Sequence, residues 1–167
     1  MTIYILRHGI AVARGAPGYE RDAERPLTPK GERRLWRITD AMEELELSFD
    51  LILSSPYLRA RQTAEIVAEA FKEKKRLDLC DALAADAEPK DVIRFLQALD
   101  PSPENVLLVG HEPYLSRLVS LLVAGDAECK IELKKGGLCK LTVESLKPGG
   151  CATLEWLLTP RQMLSMG

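Results

Sequence analysis

Both histidines of the chain lie one residue beyond apolar runs of the kind that form buried strands. His8 follows residues 3–6 and Arg7, and His111 follows residues 106–109 and a glycine. Fully buried parallel strands show such continuous apolar runs. The carboxyl ends of parallel strands open onto one crevice, so we expect the two imidazoles to meet there. A neutral imidazole can act as a nucleophile, for example toward phosphorus.

Two arginines are candidates to complete this site. Arg7 precedes the first histidine, and Arg59 lies in a helix that the Ser55-Pro56 pair is expected to start. The N-terminus of that helix would present free amide groups and the positive end of its dipole to the crevice. Two guanidiniums, a second imidazole and a helix N-terminus around a nucleophilic imidazole form a pocket for a phosphoryl group. Arg61, further along the same helix, is expected to be solvated.

A glycine adjoins each histidine, and neither histidine has the neighbours that a metal site requires. Gly9 and Gly110 would let the backbone come close to a ligand, which makes Gly9 a candidate substrate contact. Two histidines need further ligands to hold a metal, and the sequence has no H-x-x-x-H motif or nearby cluster of Asp and Glu. We therefore predict no metal and no other cofactor.

The segments between these residues predict the architecture that positions them. Four amphipathic helices are expected, and their starts are marked by Thr28-Pro29, Ser55-Pro56, residues 86–89 and residues 111–113. The fourth helix should stop near Gly125. Strand-like residues 138–146 and 152–158 flank a turn and predict a hairpin. The order predicts one α/β domain over residues 1–167, a three-layer α/β/α sandwich with a mainly parallel central sheet and a C-terminal antiparallel hairpin.

Composition limits the classes of function. The chain has 167 residues, of which 46% are hydrophobic and 29% charged, and its net charge of −2 argues against non-specific binding to nucleic acid. No apolar run approaches the roughly 18 residues that span a bilayer, and the N-terminus has no leader pattern. These features predict a cytoplasmic protein without membrane contact. The four cysteines have no metal-like spacing and are expected to be reduced and at least half-buried: Cys80, Cys129, Cys139 and Cys151.

Several segments, taken together and in order, resemble the histidine phosphatase superfamily. They are Arg7-His8-Gly9, Arg25-Pro26-Leu27-Thr28, Ser54-Ser55-Pro56 with Arg59, and Val109-Gly110-His111-Glu112-Pro113. Within the superfamily the chain is similar, over nearly its whole length, to the short phosphohistidine phosphatases typified by SixA. The resemblance implies a phosphoglycerate-mutase-like fold. It also implies that His8 is the nucleophile that becomes phosphorylated and that Arg7, Arg59 and His111 hold the phosphoryl oxygens. Arg25 is a candidate substrate contact.

The stretch after the second helix bears on the substrate. Larger members of the superfamily carry a glutamate there that protonates a leaving alcohol, and residues 79–89 have no clear counterpart. Asp81 could serve, whereas Asp86 is more simply a helix cap and Glu88 a first-turn acid. A general acid contributes about 10²–10⁴ in rate, and an imidazole leaving group needs it less than an alkoxide does. The sequence therefore favours a phosphorylated protein, such as a histidine phosphotransfer domain of a histidine–aspartate relay.

Other interpretations stay open at this point. A small-molecule phosphomonoesterase of the same superfamily would need Asp81 or a neighbour as its acid. A phosphoprotein-binding module without activity would not need the intact set of arginines and histidines, and a mutase is disfavoured by the short chain. Arg21, Lys134 and Lys135 are candidates for the rim of the site, although a solvated loop explains the two lysines more simply. We expect a monomer.

Overall fold

A single mixed sheet forms the centre of the protein, which is described by a computed structural model over residues 1–166. The sheet has six strands in the order β3-β2-β4-β1-β5-β6. Their bounds are Thr2–Arg7 (β1), Leu51–Ser54 (β2), Leu77–Leu79 (β3), Asn105–Gly110 (β4), Leu138–Val143 (β5) and Ala152–Leu158 (β6). Strands β1 to β4 are parallel to their neighbours among themselves, and β5 runs antiparallel to both β1 and β6. The mainly parallel sheet and its C-terminal hairpin are confirmed.

Helices cover both faces of this sheet. They are Pro29–Glu44 (α1), Leu58–Ala70 (α2), Pro89–Gln97 (α3), Tyr114–Ala124 (α4) and Pro160–Met163 (α5). One buried cluster joins the sheet to α1 and α2, for example through Leu35 and Ala64. A second cluster joins the opposite face to α3 and α4, for example through Val92 and Leu115. The three-layer α/β/α architecture is therefore confirmed. Within residues 1–166, no helix has both the length and the apolar character needed to cross a bilayer.

Local signals in the sequence explain where two of the helices begin and end. Thr28 caps α1, because its Oγ1 accepts a hydrogen bond from the amide of Gly31 at 3.0 Å, and Pro29 takes the first helical position. Helix α4 ends at Gly125, whose φ of 90° lies in the left-handed region that favours glycine. Both predicted boundaries are confirmed.

The pairing of β1 with β4 positions the two histidines. These strands are parallel neighbours, and Arg7 at the end of β1 is opposite Gly110 at the end of β4. His8 and His111 directly follow the ends of these two strands, so they lie side by side at the edge of the sheet. Strand β2 is the other neighbour of β4 and delivers Ser55 to the same edge. The crevice predicted from the apolar runs is thus a consequence of strand register.

Some predicted bounds are wrong. Helix α2 begins at Leu58 rather than at the Ser55-Pro56 pair, because Tyr57 holds the cap position with an extended backbone. The predicted strand over residues 138–146 stops at Val143. The chain then turns back toward α4, where the Cys151 amide donates to the carbonyl of Leu122 at 2.8 Å.

The cysteines follow the prediction except in one case. All four are free, and Cys80 and Cys139 are buried, as expected. Cys129 is exposed, which contradicts the prediction of at least half-burial. It lies in the irregular segment between α4 and β5, where its amide is held by the hydroxyl of Ser120 at 2.9 Å and its thiol has no sheet to pack against.

Candidate active site

The His8 imidazole is held in the protonation state of a nucleophile. Its Nδ1 lies 2.7 Å from the Gly9 carbonyl oxygen, which can only accept, so Nδ1 carries the proton and Nε2 keeps a lone pair. Nε2 accepts a hydrogen bond from Nε of Arg59 at 3.2 Å. Burial lowers the pKa of His8 to about 2, and the nearby His111, Arg59 and Arg7 act in the same direction, while the Gly9 carbonyl opposes them. The ring is therefore neutral at physiological pH.

His111 lies beside His8, with a distance of 5.2 Å between the ring centroids. Its Nε2 is 2.7 Å from the Ser55 hydroxyl, while its Nδ1 is buried and has no hydrogen-bond partner among residues 1–166. Burial and then the charge of Arg59 lower the pKa of His111 to about 3. A neutral ring with one nitrogen fixed and the other unpaired can interact with an oxygen of a bound group.

The Arg59 guanidinium is oriented by Asp22 as well as by His8. Nη1 of Arg59 donates to the Asp22 carbonyl at 2.7 Å, and Nη2 donates to the Asp22 carboxylate at 2.9 Å. Burial raises the pKa of Asp22, but hydrogen bonds from Arg25 and Arg14 and the charge of Arg59 outweigh it and hold that pKa well below its usual range. Asp22 is thus ionised and keeps the Arg59 fork directed at the nucleophile.

Arg7 approaches the two histidines at the end of β1. Its positive charge contributes to the lowered pKa values of both His8 and His111. Nη1 of Arg7 donates to the carbonyl of Leu133 at 2.9 Å, whereas its Nε is buried without a hydrogen-bond partner within residues 1–166. The structure therefore brings Arg7, Arg59, His8 and His111 together, and their catalytic roles stay predictions.

The two candidate substrate contacts have supporting positions. Arg25 donates to the Asp22 carboxylate through Nε at 3.0 Å and through Nη2 at 2.8 Å, so it acts on the site through Asp22. The Gly9 amide donates to Thr63 Oγ1 at 3.1 Å. A methyl group on Gly9 would lie 2.6 Å from Cδ1 of Leu35. A side chain at this position would therefore have to displace Leu35. The role of Gly9 as a substrate contact stays a prediction.

Several supporting residues were missed in the sequence. The Tyr57 ring packs against His111 in a tilted arrangement with a centroid distance of 5.0 Å, and Cζ of Arg59 lies 5.4 Å from the Tyr57 ring centroid. Burial and then the carboxylate of Asp86 raise the pKa of Tyr57. Asp86 is not the cap of α3, and Glu88 is not in its first turn, because Glu88 itself holds the cap position without a side-chain hydrogen bond. Tyr57 lies between Ser55 and Arg59, within a segment that was already assigned to the site, so its position was a signal. Nothing in the sequence pointed to Asp22.

The carboxyl groups near the site differ in their availability as proton donors. Asp81 is exposed in a short 3-10 turn, and within residues 1–166 its side chain forms no hydrogen bond or ion pair. Glu112 is half-buried and accepts hydrogen bonds from the amide of Ser116 at 3.1 Å and from its hydroxyl at 2.6 Å. Burial raises the pKa of Glu112, while Ser116 and Arg7 oppose this. Asp22, already described, is held as an anion.

The remaining candidates lie outside this cluster. Arg21 forms an exposed ion pair with Glu24 at 3.2 Å, and Lys134 pairs with Glu132. Arg61 is exposed and pairs with Glu65 at 3.1 Å, as predicted. In the part of the chain that the structure describes, no group of three or more His, Cys, Asp or Glu side chains could hold a metal ion.

Known proteins resemble the chain in both sequence and structure. Residues 3–84 match the profile of the histidine phosphatase superfamily (branch 1). An uncharacterized protein of Picosynechococcus is 37% identical over 142 residues, which cover 84% of each chain. The phosphohistidine phosphatase SixA of Escherichia coli is 28% identical over 163 residues, 96% of this chain and 94% of that protein.

A solved structure extends this similarity to the fold. It is the protein histidine phosphatase SixA complexed with tungstate, and its TM-score with this chain is 0.84 at 26% identity. The match covers 96% of this chain and 98% of that one. The chain belongs to the histidine phosphatase superfamily and is of the SixA type.

Proposed function

We propose that the protein is a phosphohistidine phosphatase in which His8 accepts the phosphoryl group and then passes it to water. One observation carries the proposal. The Nε2 lone pair of a buried, neutral His8 is directed at Nε of Arg59, only 3.2 Å away. The free protein thus holds a nucleophile and a phosphate-binding cation in contact, and an incoming phosphoryl group can engage both.

Two transfers make up the proposed reaction. In the first, Nε2 of His8 attacks phosphorus, the Nε2–P bond forms, and the P–N bond to the substrate imidazole breaks. That imidazole carries a proton on its other nitrogen and therefore leaves neutral. In the second, water attacks phosphorus, the Nε2–P bond breaks, and hydrogen phosphate leaves as one water proton passes to solvent. Arg7, Arg59 and His111 are proposed to hold the phosphoryl oxygens, each worth roughly 10²–10³ in rate.

The state of the carboxyl groups supports a phosphoramidate substrate. A good general acid keeps a proton near neutral pH and can reach the leaving group. Asp22 is held ionised, and both carboxylate oxygens of the half-buried Glu112 already accept hydrogen bonds from Ser116. A phosphohistidine substrate needs little help from such an acid, because free imidazole has a pKa of about 6.5.

We also propose the setting in which the reaction takes place. The substrate is a phosphorylated protein, for example a histidine phosphotransfer domain in signal transduction. Residues 1–167 act as one monomeric domain, and the four free cysteines suit the reducing cytoplasm. Arginines supply the positive charge in this mechanism, so turnover should continue in the presence of a metal chelator.

A substrate panel tests the proposal. Without added metal and with a chelator present, the protein should hydrolyse a phosphohistidine peptide much faster than phosphoserine, phosphotyrosine or sugar phosphates. Rapid acid-free quenching should trap acid-labile phosphate on the wild type but not on His8→Gln, a neutral substitution that removes the nucleophile. Loss of turnover in His8→Gln should reach several powers of ten.

Two results would favour the other candidates. Comparable turnover of alkyl phosphates would indicate a phosphomonoesterase, for which Glu112 is the candidate acid because burial raises its pKa. Binding of the phosphopeptide with neither phosphate release nor a trapped phosphoenzyme would indicate a binding module.

A further inference from the structure

A strongly basic cavity lies beside the candidate active site. Its volume is about 600 Å³, and Arg7 lines it as well as contributing to the phosphoryl pocket. We call it the basic groove, and the charged residues that line it are Arg7, Arg34, Glu132, Lys134, Lys135 and Arg161. Five cations thus face one carboxylate in a protein whose net charge is −2. The excess of positive charge is therefore a property of this surface and not of the protein as a whole.

Within residues 1–166, most of the groove cations have no ion-pair partner. The Glu132 carboxylate is paired with Lys134. Within residues 1–166, Arg34, Lys135 and Arg161 form no ion pair, and Nε of Arg34 is buried without a hydrogen-bond partner. Like charges that are gathered without counter-charges repel one another, which costs stability unless an anion joins them. The groove is therefore better suited to a complex than to the isolated chain.

The groove is joined to the nucleophile through the backbone. The amide of Gly136, which follows Lys135, lies 3.0 Å from the carbonyl of Arg7 and 3.1 Å from that of His8. A methyl group on Gly136 would lie 3.0 Å from Ile38 of α1 and 3.7 Å from Pro160 of α5. The loop with the groove lysines is thus held between His8, α1 and α5. A chain that delivers a phosphohistidine to His8 would pass over these cations.

We propose that the basic groove binds an acidic segment of the phosphoprotein substrate, next to the phosphohistidine that enters the active site. This inference rests on the proposed function. The cations come from β1, α1, the loop before β5 and α5, so they are spread over a surface and do not converge on one small anion. Ile10, Thr159 and Pro160 supply an uncharged part of the lining. That combination fits a polypeptide with several carboxylates.

Kinetics with matched peptides test this assignment. One phosphohistidine peptide carries Asp and Glu on both sides of the histidine, and the other carries Asn and Gln at the same positions. We expect the wild type to have a KM about tenfold lower for the acidic peptide, with an advantage that declines as salt is added. The double variant Lys135→Glu/Arg161→Glu should lose this advantage, with kcat unchanged. Turnover of a small phosphoramidate should also stay unchanged, because the phosphoryl pocket is intact.

A matched control separates the groove from net charge. Arg33→Glu/Arg37→Glu makes the same charge change at exposed positions of α1 outside the groove and should retain the preference for the acidic peptide. Circular dichroism checks that both double variants are folded. Equal KM values for the two peptides in the wild type, or an acidic preference that survives in the groove variant, would overturn the inference.

A binding measurement keeps the two proposals distinguishable. Failure of the wild type to hydrolyse the small phosphoramidate would count against the proposed function alone. Fluorescence anisotropy with the unphosphorylated acidic peptide would then still test the groove. Binding should be about tenfold weaker in Lys135→Glu/Arg161→Glu than in Arg33→Glu/Arg37→Glu. Equal affinities in these two variants would contradict the groove inference whatever the catalytic result.

Discussion

The phosphoryl pocket and the basic groove meet at Arg7 and are built in opposite ways. In the pocket the exposed fractions of His8, Arg59 and His111 are 5%, 3% and 2%, and each side chain is fixed by a hydrogen bond to another residue. In the groove Lys135 and Arg161 are exposed. Buried, oriented groups stabilise charge during a reaction at little reorganisation cost, whereas exposed charges attract and select a partner. We therefore expect pocket variants to change kcat and groove variants to change KM.

Among variants that keep the nucleophile, the largest expected effect distinguishes two arginines on the same helix. Arg59→Met removes the guanidinium that contacts His8 and should lower kcat for a phosphohistidine peptide by roughly 10²–10³. Arg61→Met makes the same substitution two residues away, where the side chain is exposed and paired with Glu65, and should change kcat less than about twofold. Steady-state kinetics of both variants, with thermal unfolding as a check on folding, measure this.

The kinetics of the Arg59 variants would also show whether the contrast between the phosphoryl pocket and the basic groove is wrong. If Arg59→Met raised KM and left kcat unchanged, the guanidinium would hold the substrate and transition state equally well. The buried pocket would then bind its ligand in the same uniform way as the exposed groove. Arg59→Lys helps to interpret this result, because it keeps the charge but loses the planar fork that engages both Asp22 and His8.

The second prediction is that the two buried histidines make the protein less stable as the pH falls. Burial lowers the pKa of His8 to about 2 and that of His111 to about 3, whereas an unfolded histidine has a pKa of about 6.5. Between these values the unfolded chain binds up to two more protons than the folded chain, so the free energy of unfolding decreases as the pH falls. The loss for each histidine is about 2 kcal/mol between pH 6.5 and 5.

Urea unfolding at pH 7 and pH 5 measures this loss. The wild type should lose about 4 kcal/mol from its histidines, while His8→Asn and His111→Asn should each lose about 2 kcal/mol less than the wild type. Only the change with pH is compared, since each substitution also affects stability at pH 7. If the double variant His8→Asn/His111→Asn lost as much free energy of unfolding between pH 7 and pH 5 as the wild type, groups other than these histidines would be taking up the protons.

The sequence was most informative where one local pattern determined one local structure. Two apolar runs followed by histidine were enough to predict the crevice, because parallel pairing places Arg7 opposite Gly110. Edge strand β3 was missed, since it has three residues and both Asp78 and Leu79 are exposed. Such a segment lacks the apolar run by which a buried strand is recognised.

Contacts between distant loop residues could not be predicted in the same way. Asp22 reaches Arg59 across 37 residues from a segment without a repeating pattern, and its partner depends on how that loop folds over α2. The groove shows the same limit, because Arg34 and Arg161 become neighbours only when α1 and α5 pack on one side of the sheet. Tertiary packing determines both arrangements, and local spacing contains no signal for them.

The smallest expected effect tests whether an exposed acid takes part in the chemistry. Asp81→Asn should change kcat for a phosphohistidine peptide less than about twofold, because a general acid would contribute about 10²–10⁴ and this side chain is exposed without a partner within residues 1–166. Glu112→Gln is the informative comparison, since Glu112 is half-buried and its pKa is raised. A large loss of kcat in Asp81→Asn but not in Glu112→Gln would mean that an exposed residue protonates the leaving group. The division between buried catalytic groups and exposed recognition groups would then be wrong.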